Sequence, residues 1–181
     1  MQLSNNKILL TGGASGIGLG LTERLVREGN QVIICGRTKE RLDEVAARYP
    51  TKVIPMAGDL SRRDDILKLY RWISESHPDL NVLINNAGVQ HWMNVFDDDF
   101  YERATQEMEI NVMSAVHLTS LFIKLKSLTT VMNVTSGLAF VPMAAAPVYC
   151  ATKAFMRSFS LSLRHQLRAK NIEVIEVIPR H

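Results

Sequence analysis

Six short, largely apolar runs rich in β-branched residues alternate with longer amphipathic stretches along this chain, and few folds accommodate that order. KILLT (7–11), QVIIC (31–35), KVIPM (52–56), NVLIN (81–85), LTTVMNVTS (128–136) and IEVIEVI (172–178) read as strands. Most show no polar alternation, as expected of strands covered on both faces. Amphipathic segments at 16–28, 38–48, 61–77, 97–125 and 149–170 read as helices, the fourth predicted to break in two. Gly29 follows the first of them, where a helix stop is expected. Repeated strand–helix–strand units predict an α/β fold: a doubly wound parallel sheet between two layers of helices. No repeat or linker interrupts the pattern, and 181 residues suit a single domain, 1–181, with a real core.

Composition excludes several classes. The net charge is +3, with Lys and Arg scattered among Asp and Glu, so nucleic acid is not an expected partner. The longest apolar run, GLAFVPMAAAPVYCA, holds Pro142 and Pro147 and is too short for a membrane span. MQLSNNKILLTGG lacks the basic and apolar blocks of a signal peptide. Cys35 and Cys150 have no metal-ligand or CxxC spacing and read as reduced core thiols of a cytoplasmic protein. Asp97, Asp98 and Asp99 read as a helix N-terminus, and no metal site is expected.

The first strand meets the first helix through Thr11-Gly12-Gly13-Ala14-Ser15-Gly16-Ile17-Gly18. Gly12 suits a tight turn, Gly16 a close backbone approach to a pyrophosphate, and Gly18 close helix–sheet packing. The free N–H groups of the helix start would face the anion. A tight structural turn also explains clustered glycines; the position between strand and helix favours a dinucleotide. At the end of the second strand, Cys35-Gly36-Arg37-Thr38 offers no carboxylate for the ribose hydroxyls of NAD(H). Arg37 suits a 2′-phosphate instead, so NADP(H) is preferred, with NAD(H) possible. The plainer reading of Arg37 is a solvated charge at a helix start.

Tyr149 and Lys153 stand one helical turn apart in PVYCATKAF, thirteen residues after Ser136. An ammonium about 4 Å from a phenol, at an effective dielectric of ~20, would favour the phenolate by about 4 kcal/mol, or some three pKa units. Such a tyrosine can exchange protons near neutral pH. Taken alone, the pair is more simply a helical tyrosine beside a solvated lysine; the serine and the glycine turn tip the balance. His91, Trp92, Phe140, Val141 and Met143 follow strand ends where ligands bind in open α/β sheets, or else pack on the core. His117 reads as a packed helical residue and Cys150 as a small buried one. Leu118, Leu121, Phe122, Phe155, Phe159, Leu163 and Leu167 give two helices more apolar surface than one sheet face needs, which predicts a homodimer or homotetramer.

These motifs together resemble the short-chain dehydrogenase/reductase family over nearly the whole chain. TGGASGIG matches the cofactor turn, Asp59-Leu60 the pair that meets the adenine, and Asn85-Asn86-Ala87-Gly88 the signature after the fourth strand. Asn111, Ser136, Tyr149 and Lys153 match the four catalytic positions. The resemblance implies a Rossmann-type domain that transfers a hydride between a nicotinamide cofactor and a small carbonyl or alcohol substrate. It implies Tyr149 as general acid/base, Lys153 as the group that lowers its pKa and holds the nicotinamide ribose, Ser136 as donor to the substrate oxygen, and Asn111 as the holder of a water. Cofactor contacts would come from Gly12, Ala14, Ser15, Gly16, Ile17 and Gly18, then Arg37 and Thr38, then Asp59 and Leu60. Asn86, Ala87, Gly88, Tyr149, Lys153 and Pro179 would complete them. A dinucleotide-binding sensor or scaffold without turnover is the alternative; an epimerase or dehydratase is disfavoured by the GxxxGxG spacing.

The sequence departs from that family in two places. The interval from Asn111 to Ser136 is short, and the chain closes on IPRH, where the family continues into a seventh strand and a substrate lid. The expectation is a longer natural polypeptide, with the 181 residues alone poorly soluble or inactive.

Overall fold

A computed structural model describes residues 2–179. The strands are β1 (Lys7–Thr11), β2 (Gln31–Gly36), β3 (Val53–Ala57), β4 (Val82–Asn85), β5 (Thr130–Val134) and β6 (Glu173–Val177). They form one parallel sheet in the order β3-β2-β1-β4-β5-β6. The helices are α1 (Gly16–Arg27), α2 (Lys39–Arg48), α3 (Arg63–Ser76), α4 (Phe100–Met108), α5 (Ser114–Phe122) and α6 (Pro147–Leu167). This is the doubly wound, three-layered fold that the alternation predicted.

The period of two along each strand splits the core between the two faces. Ile8, Leu10, Val32 and Ile34 point to one side and pack with Leu42 and Val45 of α2 and with Leu21 and Leu25 of α1. Leu9, Ile33, Leu83 and Val131 point to the other and pack with Ile73 of α3, Phe122 of α5 and Leu163 of α6. All eight strand residues are fully buried. That requirement explains why the strands lack alternation in sequence.

The predicted break within 97–125 is not a break. Backbone angles stay right-handed helical at Met108, Glu109, Met113 and Ser114, and Glu109–Met113 forms one π-helical turn between α4 and α5. The wider turn re-aims side chains without interrupting the helix path, a device common at functional sites. Asp99 stands at the N-cap position of α4, but its side chain accepts no hydrogen bond from the helix N–H groups; its carboxylate pairs with Arg103, and Asp97 accepts a hydrogen bond from the Asn94 N–H at 2.7 Å.

The predicted self-association stripe needs correction. Leu118, Phe122, Leu163 and Leu167 belong to the protomer's own core, because α5 and α6 sink these positions against the sheet. Only Phe155 of the seven is exposed, at 44%, with Leu161 at 48% on the same helix. Cys35 and Cys150 are free and buried, and burial pushes the Cys35 thiol up to about 12. Among the described residues no helix is long and apolar enough to cross a membrane. β6 is the outer strand beside β5, with Val174 buried and Ile175 and Val177 half-buried.

Candidate active site

The chain runs β1, β2, β3 in one direction across the sheet and then crosses to β4 on the far side of β1. Loops leaving β1 and β4 must therefore part, and a crevice opens at their carboxyl ends. The glycine turn forms its floor. Gly12 has φ +68 and its N–H donates to the Cys35 carbonyl at 2.7 Å, which folds the turn back onto β2. Gly18 lies so close beneath it that a Cβ there would sit 1.9 Å from the Gly12 carbonyl oxygen. Thr22 secures this packing, its hydroxyl donating to the Gly13 and Gly18 carbonyls at 2.8 and 3.0 Å. Ser15 is extended and its side chain does not cap α1, so the helix N–H groups point into the crevice.

Two clefts share Gly12, Ser15, Ala87, Gly88 and Val89 and make one groove. Its outer half adds Ala14, Gly36, Arg37, Thr38, Arg41, Asp59 and Leu60. Its inner half adds Gly16, Ile17, Gly18, Asn86, Gln90, Thr135, Tyr149 and Lys153. Fifteen of the sequence-expected cofactor positions thus line one surface. Pro179, half-buried just after β6, lines neither half. Asp59 is held in place locally: its carboxylate accepts from the Ser61 N–H and hydroxyl, and its own N–H donates to Asp65.

Thr11, the last residue of β1, was not singled out in the sequence, yet it anchors the opposite wall. Its hydroxyl oxygen accepts from the Asn86 and Ala87 N–H groups at 3.0 and 2.9 Å, and Asn86 Nδ2 donates to the Thr11 carbonyl. Asn111, set in the π-helical turn, grips the next residues. Its Oδ1 accepts from the Val89 N–H, and its Nδ2 donates to the Val89 carbonyl at 2.8 Å and to Thr152 Oγ1 at 3.2 Å. One turn earlier, fully buried Glu107 accepts from the His91 N–H through Oε1, while Oε2 has no hydrogen-bond partner among the described residues. Burial holds this carboxyl above its ordinary pKa. The i, i+4 spacing of Glu107 and Asn111 was visible in sequence; that both would clamp one loop was not.

Ser136, Tyr149 and Lys153 meet at the inner end. Ser136 is 2% exposed, and its Oγ accepts from the Leu138 N–H at 3.1 Å. A hydrogen bond joins the Ser136 and Tyr149 hydroxyls and favours the phenolate, but burial outweighs it, and the Tyr149 pKa lies above the ordinary phenol value. Lys153 Nζ lies 5.5 Å from the centre of the Tyr149 ring and donates to the Val134 carbonyl at 2.9 Å. Burial pulls its pKa down to about 8.

This corrects the sequence expectation that Lys153 lowers the Tyr149 pKa. The one-turn spacing does place both on one helix face, but the ammonium donates its hydrogen bond to the Val134 carbonyl at the end of β5. Its charge is not among the causes of the Tyr149 shift. His117 lies apart, beside a second cleft with Leu60, Arg63 and Met113, and burial and the Arg63 cation hold its pKa low. Phe140, Val141, Met143 and Trp92 are exposed on the loops after β5 and β4.

Comparison with known proteins follows the same lines. Residues 6–181 match the family described as short chain dehydrogenase. The oxidoreductase DltE of Bacillus subtilis (strain 168) is 45% identical over 189 residues, covering 99% of this chain and 72% of DltE. A short-chain dehydrogenase from Sphingobium yanoikuyae in complex with NADPH is 29% identical, with a TM-score of 0.86 over 97% of this chain and 71% of that one. A 3-ketoacyl-(acyl-carrier-protein) reductase from Brucella melitensis complexed with NADH is 25% identical, with a TM-score of 0.91 over 98% and 76%.

Proposed function

Because the chain belongs to the short-chain dehydrogenase family, we propose that it reduces a small carbonyl compound with NADP(H), using Tyr149 as general acid. Members of this family are NAD(P)-dependent dehydrogenases and reductases, and this chain is one of them. One observation supports the finer reading above the others: the Ser136 and Tyr149 hydroxyls are hydrogen-bonded at the inner end of the groove that starts at the glycine turn.

The groove fits a dinucleotide. Only a residue without Cβ fits at Gly18, and the turn it supports presents helix N–H groups for a pyrophosphate. Arg37, ahead of α2, and Arg41, in its first turn, both line the outer half, and the end of β2 carries no acidic side chain. Bound there, the nicotinamide would supply the hydride, which no side chain can. The residues would supply the proton and the field. Burial keeps the Tyr149 phenol protonated at neutral pH, so it is ready to give its proton to a carbonyl oxygen. Ser136 would donate to the same oxygen as negative charge develops there. Lys153 would hold the cofactor's ribose hydroxyls, and Asn111 would keep the 88–89 wall in register with them.

Arg37→Ala is expected to weaken NADPH binding by about 1.5–3 kcal/mol, the range for hydrogen bonds to charged groups, and to leave NADH affinity nearly unchanged. Fluorescence titration with each cofactor measures this. Equal affinity of the parent protein for NADPH and NADH would remove the basis for the NADP(H) assignment.

We place self-association on α4, the π turn and α6, where Tyr101, Met113, Phe155 and Leu161 are exposed. Light scattering at micromolar concentration should give a dimer or tetramer, and Phe155→Glu should shift it towards monomer. A parent protein that is already monomeric would count against this surface.

A further inference from the structure

We infer that Arg157, fixed by Glu176, is a positioning residue: it braces the Thr135–Phe140 segment, and so sets how Ser136 and the Phe140 wall meet the substrate. The inference rests on the carbonyl-reductase reading of the site.

Glu176 lies on β6, paired in register with Asn133 of β5. Its side chain is only 9% exposed. A carboxylate so enclosed needs partners. Oε1 accepts from the Thr135 hydroxyl at 2.9 Å, and Oε2 accepts from Arg157 at 2.9 Å. Arg157 stands one turn beyond Lys153 on α6, and its guanidinium lies 4.1 Å from the centre of the Phe140 ring. That is stacking distance for a planar cation on an aromatic face.

The ends of one short segment are therefore tied to a single ion pair. Thr135 is held by Glu176 and Phe140 by Arg157. Between them lies Ser136, which starts the short turn Gly137–Ala139 by accepting from the Leu138 N–H. Thr135 also lines the inner groove with Tyr149 and Lys153. Phe140 is 49% exposed, so the stack orders a side chain that the core does not. A stacked Phe140 presents a fixed apolar wall beside Ser136; a loose one does not. Neither Arg157 nor Glu176 lines the groove, and the pair acts through the segment it spans.

Arg157→Lys separates the two roles of Arg157, because a lysine keeps the charge beside Glu176 but not the planar stack. Arg157→Lys, Phe140→Leu and the double variant are compared with the parent. NADPH-dependent reduction of acetone and acetophenone is assayed, together with hydrogen–deuterium exchange of residues 137–146. Each single variant should raise the acetophenone KM by about tenfold, with turnover and acetone KM little changed, and should speed exchange in that segment. The double variant should do no more than either single, the mark of two residues acting as a unit. Parent-like KM and exchange in Arg157→Lys, or effects that add in the double variant, overturn the brace. If the parent reduces neither ketone, the carbonyl reading fails for these probes, and exchange alone decides. Faster exchange in both single variants supports the brace, and unchanged exchange refutes it.

Discussion

Tyr149→Phe is expected to lower turnover by at least the ~10²-fold typical of a lost general acid, with cofactor affinity retained. The substitution deletes one oxygen and keeps the ring that lines the inner groove. The Ser136 hydroxyl loses its partner but still accepts from the Leu138 N–H, so the stability change should stay near 1 kcal/mol, the net worth of one hydrogen bond. Ser136→Ala tests the same pair from the other side. The Ser136 hydrogen bond favours the phenolate, and its loss should raise the Tyr149 pKa further. In the oxidation direction, where the phenolate is the base, the alkaline rise in rate should then move to higher pH. Turnover of Tyr149→Phe within threefold or so of the parent would show that the proton comes from another group.

What the sequence disclosed and what it withheld follow from the range of the forces involved. The strands were legible because Leu9, Leu10, Ile33 and Ile34 must all be buried, and a run of such residues shows that without any partner being known. The glycine turn was legible because Gly12 and Gly18 answer to backbone geometry within one loop. The Ser136–Tyr149–Lys153 cluster was found through its spacing and its resemblance to a family, but the direction of the Lys153 ammonium was not. Its aim depends on the Val134 carbonyl, nineteen residues away in sequence. Four of the seven residues assigned to an intersubunit stripe proved to be core, because apolar periodicity marks a buried face without saying what buries it. The partners that Thr11, Glu107 and the Arg157–Glu176 pair would find gave no signal. Each works by contact with a segment brought close only by the sheet order.

Lys153→Met should abolish most turnover and yet stabilise the protein at neutral pH. Lys153 is 5% exposed, and burial lowers its pKa from 10.5 to about 8. Below that pH the ammonium is charged in both folded and unfolded chains, and the folded state bears the full cost of burying it. As pH rises past about 8 the folded state sheds the proton while the unfolded state keeps it until about 10.5. Stability therefore increases across that window. The gap in pKa corresponds to about 3 kcal/mol. Methionine fills the same space without charge and escapes the cost at every pH, but gives up the hydrogen bond to Val134, worth about 1 kcal/mol. The net expectation is a variant more stable than the parent by roughly 2 kcal/mol at pH 7, with the advantage shrinking as pH rises through 8 to 10. Urea unfolding of both proteins at matched pH values measures the difference directly, and other titrating groups cancel in it. A variant less stable than the parent at pH 7, or an advantage independent of pH, would mean that the buried ammonium is not under strain. If the advantage is found and turnover is lost, Lys153 is kept buried and charged for what it does to the cofactor, at the expense of the fold around it.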